Sequence, residues 1–352
     1  MKRSLLALAV LGMMAGTASA QSSVTLFGVV DVNAKYVKND GFDNRKSLGT
    51  DGINSSRLGF RGVEDLGGGL KAGFWLEAGV NPDTGTVNSP QLFNRRSTLS
   101  LMGNWGELRL GRDYTPVFWN QTVFDPFGTN GVGSSINVTH NIAQPTYVRA
   151  SNSAAYFLPS GLGGLYGWAQ IAANEGGANT AGKYAGGRVG YAAGPFDVVA
   201  AYGQQYFTAT STGGKFKEFN LSGSWDFGVA KIMAQYNDEK YTDTLAAAVP
   251  ALNERRYLLG AVVPIGTGEI HASWVRNDVR DAGLLSTQSD ANQYALGYVY
   301  NLSKRTAVYG QGARINNKGS SAFSVSGGTS SPGGPTAGGN SSGFELGIRH
   351  FF

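Results

Sequence analysis

The sequence predicts an all-β chain: a 16-stranded antiparallel transmembrane β-barrel with short turns on one rim and long loops on the other. Three observations carry this. Alternation of apolar and polar residues runs from end to end, in segments of about ten residues, the length of a tilted membrane strand. Glycine is abundant, at 52 of 352 residues, together with 16 Tyr and 18 Phe. No Gly-X-Y period accompanies it, and only 11 prolines are present, so neither a collagen nor a low-complexity chain fits. The connections alternate between short glycine-rich turns and long polar stretches, as in a barrel that crosses a bilayer.

The first twenty residues stand apart. MKRSLLALAVLGMMAGTASA has a basic start at Lys2 and Arg3, an apolar run, and Ala18-Ser19-Ala20 before Gln21. This is the pattern of a secretory signal cleaved after Ala20, and the apolar run is too short for a spanning helix. Residues 21–352 then form one barrel domain. The formal net charge of +5 includes Lys2 and Arg3 of that leader, and the rest is scattered, which excludes a nucleic-acid partner. Cysteine is absent, so an exported chain of this size depends on hydrogen bonding and burial alone. No later segment is apolar for long enough to cross a membrane as a helix.

Taken in order, the strand-like segments are 22–36, 53–66, 70–80, 92–103, 107–115, 146–158, 164–174 and 183–193. They continue with 196–207, 215–227, 229–241, 255–265, 269–279, 292–302, 305–317 and 343–352. Turns such as DLGGGL, GNWGE, AAGPF, DFGVA and PIGTGE join them on one rim. The stretches 38–52, 81–91, 116–145, 208–214, 242–254, 280–291 and 318–342 are the long connections. A soluble propeller would repeat a blade motif every 40–50 residues or so, and no such repeat is present. A secreted β-helix or lectin has only strand alternation in its favour.

The hairpin SRLGFRGVEDLGGGLKAGFWLEAG (56–79) shows why the barrel must be inverted. Leu58, Phe60, Phe74 and Leu76 share one face, and Arg57, Arg61, Trp75 and Glu77 the other. In a membrane the apolar face meets lipid, which leaves the charges around an enclosed aqueous lumen. A hairpin centred on Gly67 sets Arg57 close to opposite Glu77 on the same face, a cross-strand pair that would hold the guanidinium against the wall. Alternation gives Arg149 the face of Ser151 and Ser153. Arg95 is ambiguous, because Arg96 is its neighbour and Leu99 and Leu101 share its parity.

These segments also resemble a known family. SSVTLFGVVD, SRLGFRGVEDLGGGLKAGFWLE, RRSTLSLMGNWGELRLGRD, YNLSKRTAVYG and the terminal GIRHFF are similar to the trimeric general porins of Gram-negative bacteria, in their β-proteobacterial, anion-selective branch. The resemblance spans Ser22 to Phe352. It implies a homotrimer in the outer membrane, in contact with lipid and lipopolysaccharide. It implies that Phe352 is the assembly signal read by the barrel-assembly machinery. It also implies that Arg95 faces the lumen, that Arg57, Arg95 and Arg149 form a basic cluster at the pore constriction, and that Arg96 faces a subunit neighbour. The connection 116–145 carries Val117, Phe118, Trp119, Val123, Phe124 and Phe127, more apolar than a surface loop needs. It resembles the family's third loop, which folds into the barrel, and this would bring the acidic Asp125 close to the eyelet.

The implied function is passive, anion-preferring diffusion of small hydrophilic solutes and ions. Fixed guanidiniums in a narrow aqueous passage lower the energy of anions. A substrate-specific channel for organic acids or phosphate would use the same fold. Adhesion or phage reception could ride on 323–342, a segment too rich in Gly and Ser to specify a surface. Catalysis is disfavoured. The histidines are His140, His271 and His350, and His271 shares a face with Glu269 and Ser273 at strand spacing of about 7 Å, long for a nucleophile–base pair. No motif with metal-ligand or phosphate-loop spacing occurs, so no cofactor or metal is expected.

Overall fold

The computed structural model describes residues 23–139, 146–174, 182–206, 214–242, 252–282, 289–326 and 334–352. The leader expected over 1–20 lies outside them, as does His140. Eighteen strands join one sheet. They are β1 (Ser23–Asn39), β2 (Arg45–Thr50), β3 (Arg57–Gly67), β4 (Leu70–Asn81), β5 (Thr86–Val87) and β6 (Arg96–Gly103). Next come β7 (Gly106–Tyr114), β8 (Arg149–Phe157), β9 (Leu165–Ala172), β10 (Tyr184–Ala193), β11 (Phe196–Tyr206) and β12 (Lys215–Asp226). The last are β13 (Lys231–Thr242), β14 (Leu252–Ile265), β15 (Gly268–Ala282), β16 (Ala291–Asn301), β17 (Thr306–Asn317) and β18 (Ser341–Phe351). Two of these, β2 and β5, are short additions within the long connections 38–52 and 81–91. The other sixteen form a closed antiparallel barrel.

Closure is made by β1 against β18, antiparallel from Val29↔Phe351 to Asn39↔Ser341. A closed sheet leaves no edge, so every strand can pair its backbone internally, which lipid requires. The terminal residue completes the seam. Phe352 exchanges backbone hydrogen bonds with Gly28, at 3.1 and 3.2 Å. Its ring occupies the space where a Cβ on Gly28 would stand.

The pleat is inverted as the alternation requires. Along β16, Tyr294, Leu296 and Tyr298 are exposed, while Gln293 and Ala295 are buried. On β18, Phe344, Leu346 and Ile348 point outward and Glu345 inward. The apolar cluster lies inside the barrel, where Phe127, Val132 and Val138 of the third loop meet Leu258, Val275 and Ile315 of the wall. Phe323 and Val325 join it, fully buried. The start of the Gly/Ser-rich connection 318–342 is therefore a second inward-folded piece rather than surface loop. Asn317 Nδ2 donates to Phe323 O and Ser341 Oγ accepts from Val325 N, which pins it there.

One register differs from expectation. The turn of β3 and β4 has Gly67, Gly68 and Gly69 all at positive φ (84°, 61° and 81°), conformations that glycine adopts without strain. The ladder slips between Asp65 and Gly67, so Arg57 stands opposite Gly79 and Glu77 opposite Gly59. Arg57 and Glu77 are diagonal rather than directly opposed. The observed pairing is centred on residue 68 rather than 67, which moves each partner by two, and a long guanidinium still spans the diagonal.

Candidate functional site

The connection between β7 and β8 turns inward at Thr115. Pro116 opens the helix α1 (Pro116–Val123), a position where its missing N–H costs nothing. Val117, Phe118 and Phe124 are buried in this arm and Phe127 in the turn beyond it, whereas Trp119 and Val123 stay open to the lumen. Polar anchors tie the loop to the far wall. Gln235 Nε2 donates to Gln121 O at 3.0 Å, Gln293 Nε2 to Gly133 O at 3.0 Å, and Val132 N to Glu345 Oε1 at 3.1 Å. The loop thus crosses the lumen and narrows it.

The charged cluster gathers where β7 hands over to this loop. Glu77 is buried, and its carboxylate accepts from Arg95 Nε at 2.6 Å and Trp75 Nε1 at 3.1 Å. Arg57 Nη1 lies 3.5 Å from the same carboxylate, and its Nε donates to Ser55 O at 2.9 Å. Arg95 Nη2 reaches the Tyr114 hydroxyl at 2.6 Å, and Arg149 Nη2 reaches it at 2.7 Å. The Arg149 guanidinium also lies 4.3 Å from the Tyr114 ring centroid. Arg57, Arg95 and Arg149 are therefore joined through Glu77 and Tyr114. Two of the three cations share the Glu77 carboxylate, and the third, Arg149, joins them through Tyr114.

The parity problem of Arg95 and Arg96 resolves in favour of both. Arg95 precedes β6, where its amide donates to Glu77 O and its side chain is free of strand alternation. Arg96 is the first residue in register, opposite Glu77, and so belongs to the lumen face with Thr98 and Ser100. The expectation that Arg96 faces a neighbouring subunit is not met. Its guanidinium stacks 4.4 Å over Trp75, and its Nε lies 3.5 Å from Asp113.

Asp125 departs from its expected place at the eyelet. Its carboxylate is buried and accepts the backbone N–H groups of Phe127 (2.9 Å), Thr129 (3.1 Å) and Ser135 (2.9 Å). Burial pushes this carboxyl above its ordinary range, and those three donors partly offset it. Asp125 is a clamp inside the loop, not a charge presented to the passage. His271 holds the adjacent residue: its Nδ1 lies 2.5 Å from Pro126 O and its Nε2 3.2 Å from Glu269. Among the described residues Ser273 Oγ takes no hydrogen bond, so these groups do not assemble a nucleophile and base. No group of three or more potential metal ligands occurs among the described residues.

Sequence reasoning passed over Tyr114 and Asp113. The only sequence sign was their position in GRDYT, at the junction of strand and loop.

The model of the Gram-negative porin family matches residues 7–320. The chain is a Gram-negative porin. It is 40% identical to outer membrane porin protein 32 of Delftia acidovorans over the whole of both chains. An outer membrane porin protein of Bordetella pertussis is 31% identical, over 90% of this chain and 95% of its own. Among solved structures, the anion-selective porin from Comamonas acidovorans superposes with a TM-score of 0.83 at 38% identity, covering 94% of this chain and all of that one. This porin is an outer-membrane channel protein that crosses the bilayer with its strands.

Proposed function

We propose that the porin mediates passive diffusion of small hydrophilic solutes and ions with a preference for anions, set by Arg57, Arg95 and Arg149 at the constriction. The observation that carries this reading is their convergence on Glu77 and Tyr114 beside the inward-folded loop, three guanidiniums against one carboxylate. In a narrow aqueous passage such an excess lowers the energy of an anion and raises that of a cation. Both Arg57 and Arg149 keep a terminal nitrogen without a hydrogen bond among the described residues, which suits shallow, rapidly exchanged contacts. The similarity to a porin described as anion-selective supports the same sign.

In this reading the chain is exported by the signal over 1–20 and assembles as a homotrimer in lipid and lipopolysaccharide. Its short glycine turns face the periplasm, and Phe352 at the barrel seam is the residue read by the barrel-assembly machinery. The test is the reversal potential of the purified protein in a planar bilayer under a KCl gradient. Anion preference, reduced in Arg149→Gln, is the expected result. Cation preference in the wild type overturns the reading.

A further inference from the structure

The lumen between the arginine cluster and the short-turn rim is lined by aromatic rings and further arginines, which do more than set a charge. A cavity of about 440 Å³ opens there. On one side stand Trp119, Trp168 and Phe157, with Trp119 and Trp168 centroids 6.5 Å apart and Phe157 stacked on Trp168 at 5.0 Å. On the other side Arg96 lies 4.4 Å over Trp75, and Arg109 bridges to the first wall, 3.9 Å from the Phe157 centroid. Trp119 is 37% exposed, so its ring borders open space.

Bulk water gives no reason to place this much aromatic surface in a pore. For simple anions the ring faces are a disadvantage, since the quadrupole presents negative charge there. The wall makes sense for a solute that is itself a flat ring with an anionic edge. Such a solute can stack offset on Trp119, which Trp168, itself covered by Phe157 and by Arg188 at 4.7 Å, holds edge-on, while its carboxylate meets a guanidinium edge. Arg96 offers that edge. Its Nε faces Thr98 and Asp113, and no hydrogen bond to its terminal nitrogens is present among the described residues. With its Cζ 4.4 Å over the Trp75 ring and its terminal nitrogens unengaged, this guanidinium has a pair of N–H donors of the kind that carboxylates accept together.

We infer that this cavity is a binding subsite for aromatic carboxylates, used as a stepping site in permeation. The inference rests on the anion-channel reading and names the solute class that this part of the lumen favours. Stacking beyond area burial corresponds to about a twofold to tenfold gain in occupancy over a saturated ring of the same charge and similar size.

The experiment compares benzoate with cyclohexanecarboxylate as added solutes on the full-length porin in a planar bilayer. The readout is the concentration that halves the KCl current. Benzoate is expected to act at least about twofold lower than its saturated analogue. That ratio is expected to fall towards one in Trp119→Leu and in Trp168→Leu, each measured against its own saturated control. Equal half-block concentrations in the wild type overturn the subsite even if the variants do not fold. A benzoate advantage that persists unchanged in both variants overturns its placement on this wall. Reversal potentials from the same channels judge the anion reading separately, so anion preference without ring discrimination defeats only the subsite.

Discussion

Arg95 and Arg149 are tied to each other through one oxygen, the Tyr114 hydroxyl, which lies 2.6 Å from one guanidinium and 2.7 Å from the other. Two like charges would separate if left in water. Here Glu77 balances Arg95, and the Tyr114 ring supports Arg149 from beneath. Tyr114→Phe removes the shared oxygen and keeps the ring. Hydrogen bonds to charged groups contribute roughly 1.5–3 kcal/mol each. The expected outcome is a lower thermal unfolding midpoint and noisier open-channel current with the sign of selectivity retained. A quiet channel of unchanged stability contradicts the tether.

Among the described residues, Glu77 is the one carboxylate touching Arg57 and Arg95. A unit charge about 4 Å from a permeating ion is worth about 1 kcal/mol in water-like dielectric, roughly fivefold in ion ratio. Glu77→Gln is therefore expected to shift the reversal potential further towards the anion side. Arg149→Gln is expected to move it by a similar amount the other way. Shifts of the same sign in both variants are incompatible with a charge-set preference.

Screening supplies an independent check that needs no substitution. The Debye length falls from about 10 Å at 0.1 M to about 3 Å at 1 M. The anion-to-cation permeability ratio measured around 0.1 M KCl is expected to exceed that measured around 1 M. A ratio independent of salt would point to steric selection instead.

Asp125 gathers three backbone N–H groups of its loop, and His271 holds the neighbouring Pro126 carbonyl. Asp125→Asn keeps one acceptor oxygen but turns the other into a donor facing N–H groups, which breaks the clamp. The expected result is a looser third loop: larger or fluctuating single-channel conductance, with barrel content by circular dichroism unchanged. Steady wild-type conductance in this variant assigns the loop's position to its apolar packing alone.

At the seam, a Cβ on Gly28 would collide with the Phe352 ring and meet the Arg57 carbonyl at 2.7 Å. Gly28→Val is expected to lower the temperature at which the barrel unfolds, followed by circular dichroism. An unshifted transition would show that the closing strand yields at no cost.

How much of this was legible beforehand follows from which rule each residue obeys. Leu58, Phe60, Leu346 and Ile348 obey strand alternation, and their outward faces were readable because the pleat has period two. The sixteen strands, their even number and their glycine turns followed from the same local pattern. Arg95 lies just outside that pattern. Its backbone leaves the strand at a hydrogen bond to Glu77 O, so parity could not place it, and Arg96, the true strand residue, was assigned to the wrong side. The Arg57–Glu77 register slipped for a related reason. Which glycine sits at the apex of a three-glycine turn depends on the bulge at Asp65, and nothing in the run distinguishes them.

By itself, then, the sequence determined the barrel, the inverted faces and the inward tendency of an apolar loop, because alternation and composition are local properties that lipid and water select directly. Only the tertiary structure decided the site. Whether a carboxylate such as Asp125 or Glu77 meets backbone amides or guanidiniums depends on where a loop lands across the lumen. That landing is fixed by contacts between residues far apart in the chain, such as Pro126 with His271 and Tyr114 with Arg149.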